Sequence, residues 1–134
     1  DCCDLIFKDS SFDYCMAIAV FHHMASDQRR YKALYEMIRV LKINGKGIFS
    51  VWSVENQTGK DNMKKRHFSI GNNYVPWTRR KDKEIYKRYY YVYTKEMVDL
   101  YIRPFIKYIH IDNIFNEYGN WIVSFHKINN FPQK

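Results

Sequence analysis

The sequence predicts an α/β fold: a parallel βαβ unit, then a long basic segment, a helix and an antiparallel terminal hairpin. Two observations indicate this order. Two unbroken apolar runs flank a helical pattern in the first half, and two strand-like runs separated by a short turn end the chain. The 134 residues, 46% of them apolar, correspond to one domain with a hydrophobic core of its own.

The βαβ unit occupies the first half of the chain. Residues 14–21 (YCMAIAVF) are apolar without alternation, which is typical of a strand covered on both faces. Ser26 can cap a helix that runs to about Lys42. Its apolar residues form one stripe, at Leu34, Met37, Ile38 and Leu41. Residues 47–52 (GIFSVW) form a second buried strand, and a helical crossover between two strands predicts parallel pairing.

The second half begins with a polar stretch. Residues 54–87 are basic and weakly periodic, which predicts a long functional loop. Thr94 can cap a helix through about Arg103. Residues 106–114 and 121–125 then read as strands. The turn between these strands is too short for a crossover helix, so we expect them to pair antiparallel.

The positive charge of the chain is concentrated in one segment. Residues 60–95 contain eleven Lys and Arg against three acidic residues, a surplus of +8 that equals the net charge of the whole chain. Clustered cations attract phosphates, and the tyrosines and tryptophan interspersed among them favour RNA as the polyanionic partner over a membrane. The alternative is a solvated lysine-rich loop.

The cysteines and the ends of the sequence predict little chemistry. Cys2, Cys3 and Cys15 are odd in number and form no CxxC pair, so we expect reduced thiols, no disulfide framework and no metal site. No apolar run approaches the roughly 20 residues of a membrane helix. The opening residues do not resemble a signal peptide, so we expect a cytoplasmic or nuclear protein.

Three pieces of the first half resemble one superfamily. Ser11-Phe12-Asp13, then His22-His23, then residues 39–45 (RVLKING) are similar to the "SFD…HH…RVLKPGG" string of class I S-adenosylmethionine-dependent methyltransferases. Ile43 and Asn44 replace the proline and first glycine of that string. The predicted fold is therefore the carboxyl-terminal half of a Rossmann-like class I methyltransferase sheet, with residues 54–87 as the substrate-side loop.

Three further pieces narrow the resemblance. Residues 75–77 (VPW), 88–93 (RYYYVY) and 119–121 (GNW) resemble the "VPW…RYYH…GNW" set of the eukaryotic tRNA wobble-uridine carboxymethyl methyltransferases. That group includes the methyltransferase domain fused to AlkB-like oxygenases. The similarity extends from Asp1 to about Lys127. The family's glycine-rich cofactor loop and its ribose-binding acidic residue have no counterpart in this sequence, so we expect residues 1–134 to be a partial methyltransferase domain.

The resemblance implies an activity and its partners. Similar enzymes transfer a methyl group from S-adenosylmethionine to the carboxylate of 5-carboxymethyluridine in tRNA. They work with a small zinc-binding activator subunit. An exposed half-sheet would in addition favour self-association, since an open sheet edge tends to pair. Two alternatives remain: a truncated RNA-binding module without catalysis, and a methyltransferase for a small acid or a lipid.

The resemblance and the strand-end rule of α/β sheets together supply candidate site residues. The cofactor candidates are Asp1, Cys2, Ala19 and Val20. The catalytic candidates, which would position the carboxylate or line the substrate side, are His22, His23 and Arg88. The candidates for RNA contact are Arg29, Arg30, Lys64, Lys65, Arg66, Trp77, Arg79, Arg80, Lys81 and Tyr89.

Overall fold

The computed structural model describes residues 1–55 and 68–132. Short 3₁₀ turns follow β1, at Phe21–His23, and α2, at Arg103–Phe105. The helices and strands, in chain order, are β1 (Phe12–Ile18), α1 (Asp27–Val40), β2 (Leu41–Trp52), β3 (Gly71–Thr78), β4 (Ile85–Val92), α2 (Lys95–Ile102), β5 (Ile109–Glu117) and β6 (Asn120–Lys127).

The main sheet has four strands in the order β1-β2-β6-β5. β1 pairs with β2 in parallel, from Tyr14 opposite Lys46 to Ile18 opposite Ser50. β6 pairs antiparallel with both β2 and β5. The α/β class, the parallel βαβ unit and the antiparallel terminal hairpin are confirmed.

Both helices begin where the sequence predicts. The Ser26 side chain accepts a hydrogen bond from the Arg29 backbone N–H, and the Thr94 side chain accepts one from the Met97 N–H. α1 is shorter than expected because β2 already begins at Leu41. Asn44 lies inside β2 with φ of +65°, a left-handed conformation that asparagine tolerates better than most residues. This explains how Asn44 can stand where the related string has glycine.

The core lies between the helices and one face of the main sheet. From the sheet it includes Phe49, Val51, Val123 and Phe125, all fully buried. Leu34 and Ile38 of α1 and Val98 of α2 belong to the same cluster. Leu34, Met37 and Ile38 of the predicted α1 stripe therefore pack in the core, whereas Leu41, the fourth predicted member, belongs to β2.

The opposite face of β1 is not covered within the described residues. Tyr14, Met16 and Ile18 are 75%, 73% and 53% exposed. The expectation of a strand buried on both faces is therefore wrong for this face. A groove of about 750 Å³ follows it, lined among others by Tyr14, Met16, Ile48, Ser124 and His126. The groove reaches Lys46 at the amino end of the β1–β2 pairing, away from the strands' carboxyl ends.

The structure corrects the prediction of a long irregular loop. β3 and β4 form a regular antiparallel hairpin, with eight aligned pairs from Gly71–Val92 to Thr78–Ile85. Sequence periodicity missed it because both hairpin faces carry aromatic and basic side chains, so apolar and polar residues do not alternate. Neither helix in residues 1–55 and 68–132 is long and apolar enough to cross a membrane.

Gly47 tests how tightly the core is packed. A Cβ added to Gly47 would lie 2.2 Å from Cζ of Phe125, so we expect Gly47→Ala to lower the free energy of unfolding by about 1–3 kcal/mol. The measurement is urea denaturation of the full chain. Adding Phe125→Leu, which shortens the opposing side chain, should make the Gly47→Ala change less costly. Equal costs of Gly47→Ala in both backgrounds would contradict this packing.

Candidate active site

The candidate site lies at the carboxyl ends of β1 and β2. Ala19 follows β1 and has φ of +56°, a left-handed conformation that costs alanine about 1–2 kcal/mol. Its N–H donates to the Ser50 hydroxyl at 3.1 Å, which holds the turn in place. Backbone strain of this kind concentrates at functional sites. Ala19 and Val20, the predicted cofactor residues, therefore border the strand end where α/β sheets bind ligands.

Five ring side chains meet beside this turn: His22, His23, Trp52, Phe68 and Tyr90, hereafter the aromatic cluster. Trp52 and Tyr90 stack with ring centroids 4.0 Å apart and an interplanar angle of 4°. The centroid of His23 lies 4.5 Å from that of Tyr90, and the centroid of Phe68 lies 4.9 Å from that of Trp52. The structure thus brings the predicted His22 and His23 together with three rings from distant parts of the chain.

His22 is a buried, neutral member of the cluster. Its side chain is fully inaccessible, and its Nδ1 accepts a hydrogen bond from the Trp52 backbone N–H at 3.1 Å. Burial, together with the nearby His23, lowers the pKa of His22 from 6.5 to about 3. A group that stays neutral at pH 7 cannot supply a positive charge to a carboxylate. His22 therefore fits a positioning role, whereas His23 is exposed.

The β3–β4 hairpin continues the aromatic cluster outward. Its base is bonded to the end of β2, because Tyr93 N–H donates to the Trp52 carbonyl at 2.9 Å and Val54 N–H donates to the Tyr93 carbonyl at 3.0 Å. We call the hairpin face that carries Tyr90 the inner face. The strand register puts Val75, Trp77, Tyr86 and Arg88 on it.

Arg88 is the cation of the inner face. It lies two residues from Tyr90, about 7 Å along the strand. Its guanidinium carbon sits 4.0 Å from the centroid of the Trp77 ring. Stacking on the indole fixes the plane of the guanidinium and leaves its N–H edges available to a ligand. Trp77, which we expected in an irregular loop, instead lies in β3 and supports Arg88.

The hairpin tip carries the other predicted basic residues. Arg79 forms ion pairs with Asp82 and Glu84, so its charge serves mainly to close the turn. Arg80 and Lys81 are exposed, and no ion pair forms on either within the described residues. Lys64, Lys65 and Arg66 lie outside the residues that the structure describes.

Two predicted RNA-contact residues are buried or engaged inside the protein. Arg30 is 4% exposed; it donates to Asp27, to the Met24 carbonyl and to the Tyr89 hydroxyl, and it stacks on Tyr91. These contacts occupy the guanidinium, so Arg30 joins α1 to β4 and is not placed to contact RNA. The Tyr89 hydroxyl also donates to the Asn72 side chain at 2.6 Å, which leaves Tyr89 as a partly buried support of the hairpin.

The predicted cofactor residue Asp1 is paired with the predicted RNA contact Arg29. Their charged atoms lie 3.2 Å apart, and Asp1 also accepts the Cys3 backbone N–H. All three cysteines are free thiols. One donor atom each from Asp1, Cys2 and Cys3 lies within 4.8 Å of the others. The sequence did not anticipate this proximity, which by itself does not define a metal site because Asp1 is engaged by Arg29.

The sequence predicts two members of the aromatic cluster, His22 and His23, and does not predict the other three, Trp52, Phe68 and Tyr90. Trp52 ends the second predicted strand, and Tyr90 is one of many aromatic residues in the basic segment. Trp52 is the last residue of β2, so the strand-end rule could have identified it. Tyr90 lies in the string of residues 88–93 that carries the resemblance, but only the unpredicted β3–β4 hairpin places it against Trp52.

Comparison with known proteins bears first on the fold. Residues 1–49 match a family model described as "Methyltransferase domain". A solved S-adenosylmethionine-dependent methyltransferase from Methanosarcina mazei superimposes with a TM-score of 0.68 at 15% identity, covering 96% of this chain and 65% of that one. One from Clostridium acetobutylicum superimposes with a TM-score of 0.65 at 12% identity, covering 96% and 63%.

This chain has the class I methyltransferase fold. In sequence it resembles the tRNA carboxymethyluridine methyltransferases. It is 42% identical over 65 residues to the tRNA (carboxymethyluridine(34)-5-O)-methyltransferase alkbh8 of Xenopus tropicalis, covering 46% of this chain and 10% of the relative. The Schizosaccharomyces pombe tRNA (carboxymethyluridine(34)-5-O)-methyltransferase is 30% identical over 105 residues, covering 63% and 44%. A putative methyltransferase of Encephalitozoon cuniculi is 35% identical over 96 residues, covering 72% and 44%.

The chain spans less than half the length of each of these curated relatives. The methyltransferase-domain match and the fold support S-adenosylmethionine as the cofactor. The strained Ala19 turn fits such a ligand, because it lets the main chain approach a group bound at the end of β1. Ala19 and Val20 therefore lie where the strand-end rule expects a cofactor contact.

The low pKa of His22 predicts a pH-dependent stability. The unfolded chain binds a proton at His22 below pH 6.5, whereas the folded chain does not until about pH 3. Protonation of His22 in the unfolded chain therefore leaves the free energy of unfolding unaffected above pH 6.5 and lowers it progressively as pH falls towards 3. Relative to His22→Asn, whose side-chain oxygen can replace Nδ1, we expect the original chain to lose about 2–3 kcal/mol more between pH 7 and 4.5. Denaturant unfolding at both pH values measures this, and parallel pH profiles of the two proteins would contradict it.

Proposed function

We propose that this chain carries the substrate-side half of an S-adenosylmethionine-dependent tRNA methyltransferase that esterifies 5-carboxymethyluridine at the wobble position. The single observation that carries the proposal is that the aromatic cluster and the inner face of the basic hairpin are continuous at the carboxyl end of the sheet. Rings there can stack on an extruded base, and a nearby cation can position its carboxylate.

The reaction requires positioning rather than a base. S-adenosylmethionine supplies an electrophilic methyl group on a sulfonium when bound. A carboxylate oxygen forms the new C–O bond as the C–S bond breaks, and the released product is a thioether. A carboxylate with a pKa near 4 is already ionised at neutral pH, so no proton is transferred. Alignment of the reacting atoms can contribute about 7–11 kcal/mol to the acceleration, which fits a cluster of fixed rings without a nucleophile–base pair.

Arg88 is suited to hold the carboxylate without neutralising it. A tight two-pronged ion pair would stabilise the carboxylate and make it a weaker nucleophile. The Trp77 ring attracts and orients the guanidinium through a cation–π contact, with the Arg88 guanidinium carbon 4.0 Å from the ring centroid. We place Arg88 on the carboxylate and the exposed His23 on the base, with His22 and the buried Tyr90 behind them as fixed support.

The outward part of the hairpin is suited to hold the RNA backbone. Arg80 and Lys81 project from the tip as exposed cations. Because Arg79 is neutralised by Asp82 and Glu84, the tip has a defined shape rather than a loose run of charge. Phosphates of the anticodon arm would bind there by Coulomb attraction and counterion release.

Protein partners are proposed at the open face of β1. Tyr14, Met16 and Ile18 form an exposed apolar row at the sheet edge, and such a row commonly marks an interface. The small zinc-binding activator subunit implied by the resemblance is the proposed partner, and self-association through the same edge is the competing arrangement.

The role of Arg88 can be tested against its neighbour. Arg88→Gln removes the proposed carboxylate contact and should lower kcat/KM for carboxymethyluridine tRNA about ten- to a hundredfold, the value of a charge-assisted hydrogen bond. Lys87→Gln removes an adjacent charge from the other hairpin face and should change it little. Transfer of labelled methyl from S-adenosylmethionine to tRNA is the measurement.

Each unfavourable result of this assay has its own meaning. Equal losses in the two variants would show that Arg88 contributes only general charge. Tight tRNA binding without any methyl transfer would favour the non-catalytic RNA-binding module. Transfer to small acids, combined with tRNA binding that does not depend on salt, would favour a small-acid or lipid methyltransferase.

The hairpin tip can be tested by salt dependence. Replacing Arg80 and Lys81 together with Ala should weaken tRNA binding and flatten the plot of log affinity against log salt concentration by about 1–2. A control pair, Arg103→Ala with Lys107→Ala, removes the same charge from exposed positions beside α2. An unchanged slope in the tip variant, or the same change in the control, would contradict the proposal that the tip holds RNA.

A further inference from the structure

The two adjacent histidines of the aromatic cluster have hydrogen-bond partners that favour opposite tautomers. His22 Nδ1 accepts the Trp52 backbone N–H at 3.1 Å, so the proton of this neutral ring is on Nε2. That Nε2–H is buried and has no hydrogen-bond partner among the described residues. His22 is therefore a buried ring that packs against His23 and does not transfer protons.

His23 has the reverse arrangement. Its Nδ1 faces the Tyr89 backbone carbonyl at 3.4 Å. A carbonyl oxygen can only accept, so Nδ1 carries a proton, and in the neutral ring Nε2 then presents a lone pair. The ring is held between His22, at 4.6 Å, and Tyr90, at 4.5 Å between centroids. His23 is exposed, so its Nε2 acceptor is available to a ligand at the strand end.

An acceptor at this position has a chemical consequence for a bound base. Uracil presents a donor, the N3 imino N–H, on its Watson–Crick edge, whereas cytosine presents an unprotonated N3 acceptor. Enzymes that act on an extruded base read this edge by hydrogen bonds. Two acceptors facing each other leave both unpaired, which costs about 1–3 kcal/mol when water is excluded.

We propose that His23 Nε2 accepts a hydrogen bond from the N3 imino N–H of the target base, so that His23 is a specificity-determining residue that selects uracil over cytosine. The inference rests on the proposed function, since it requires the target base to bind at the aromatic cluster. It adds to the proposed function the residue and the hydrogen bond by which the protein would recognise uracil.

The test compares two RNAs on the full chain with S-adenosylhomocysteine present. Anticodon stem-loops carry either 5-carboxymethyluridine or 5-carboxymethylcytidine at the wobble position, and fluorescence anisotropy gives Kd for each. The original chain should prefer the uridine RNA about five- to a hundredfold. His23→Phe keeps a ring against Tyr90 but removes the acceptor, so most of the preference should disappear. His23→Gln, whose side-chain oxygen can accept, should restore part of it.

His110→Phe is the matched control, because His110 is also exposed and stacks on another histidine, His126, at the far end of the sheet. It should keep the full preference. Equal binding of both RNAs by the original chain, or an unchanged preference in His23→Phe, would overturn the inference while leaving RNA binding intact. Failure of the original chain to bind either RNA would instead overturn the proposed function, and this inference with it.

Discussion

The stack between Trp52 and Tyr90 is the contact on which the candidate site depends. It joins the last residue of a core strand to a hairpin that otherwise has few contacts with the main sheet, and the rings lie parallel at 4.0 Å. Such a pair contributes about 0.5–1.5 kcal/mol beyond the burial of its area. The backbone hydrogen bonds from Tyr93 N–H to the Trp52 carbonyl and from Val54 N–H to the Tyr93 carbonyl also hold the hairpin to the end of β2. This junction sets the position of Arg88 and Trp77 relative to the carboxyl ends of β1 and β2.

The two faces of the β3–β4 hairpin have different surroundings. On the inner face, Tyr90 is buried against Trp52, and Arg88, two residues away, is exposed. On the other face, Tyr89 and Tyr91 contact Arg30, whose buried guanidinium ties β4 to the start of α1. A segment rich in tyrosine and arginine therefore does two different things at alternating positions, and net charge alone cannot reveal this division.

The parallel βαβ unit, the second helix and the terminal hairpin could be predicted because each depends on local signals: unbroken apolar strands, capping residues and a turn too short for a crossover. The β3–β4 hairpin could not be predicted, because aromatic and basic residues occupy both of its faces and remove the alternation that marks a strand. His22 and His23 were identifiable as strand-end residues. The burial of Arg30 and the pairing of Arg29 with Asp1 were not, because they depend on contacts between distant segments. The exposure of β1 likewise depends on what covers the sheet rather than on the strand itself.

The most direct measurement of the central claim is zero-length photo-crosslinking of an anticodon stem-loop that carries 4-thiouridine at the wobble position. If the target base binds on the aromatic cluster, crosslinked peptides should contain residues 19–23 or 86–90. Crosslinks confined to β5 and β6, around His110 and His126, would place the RNA on the open part of the sheet and contradict the account.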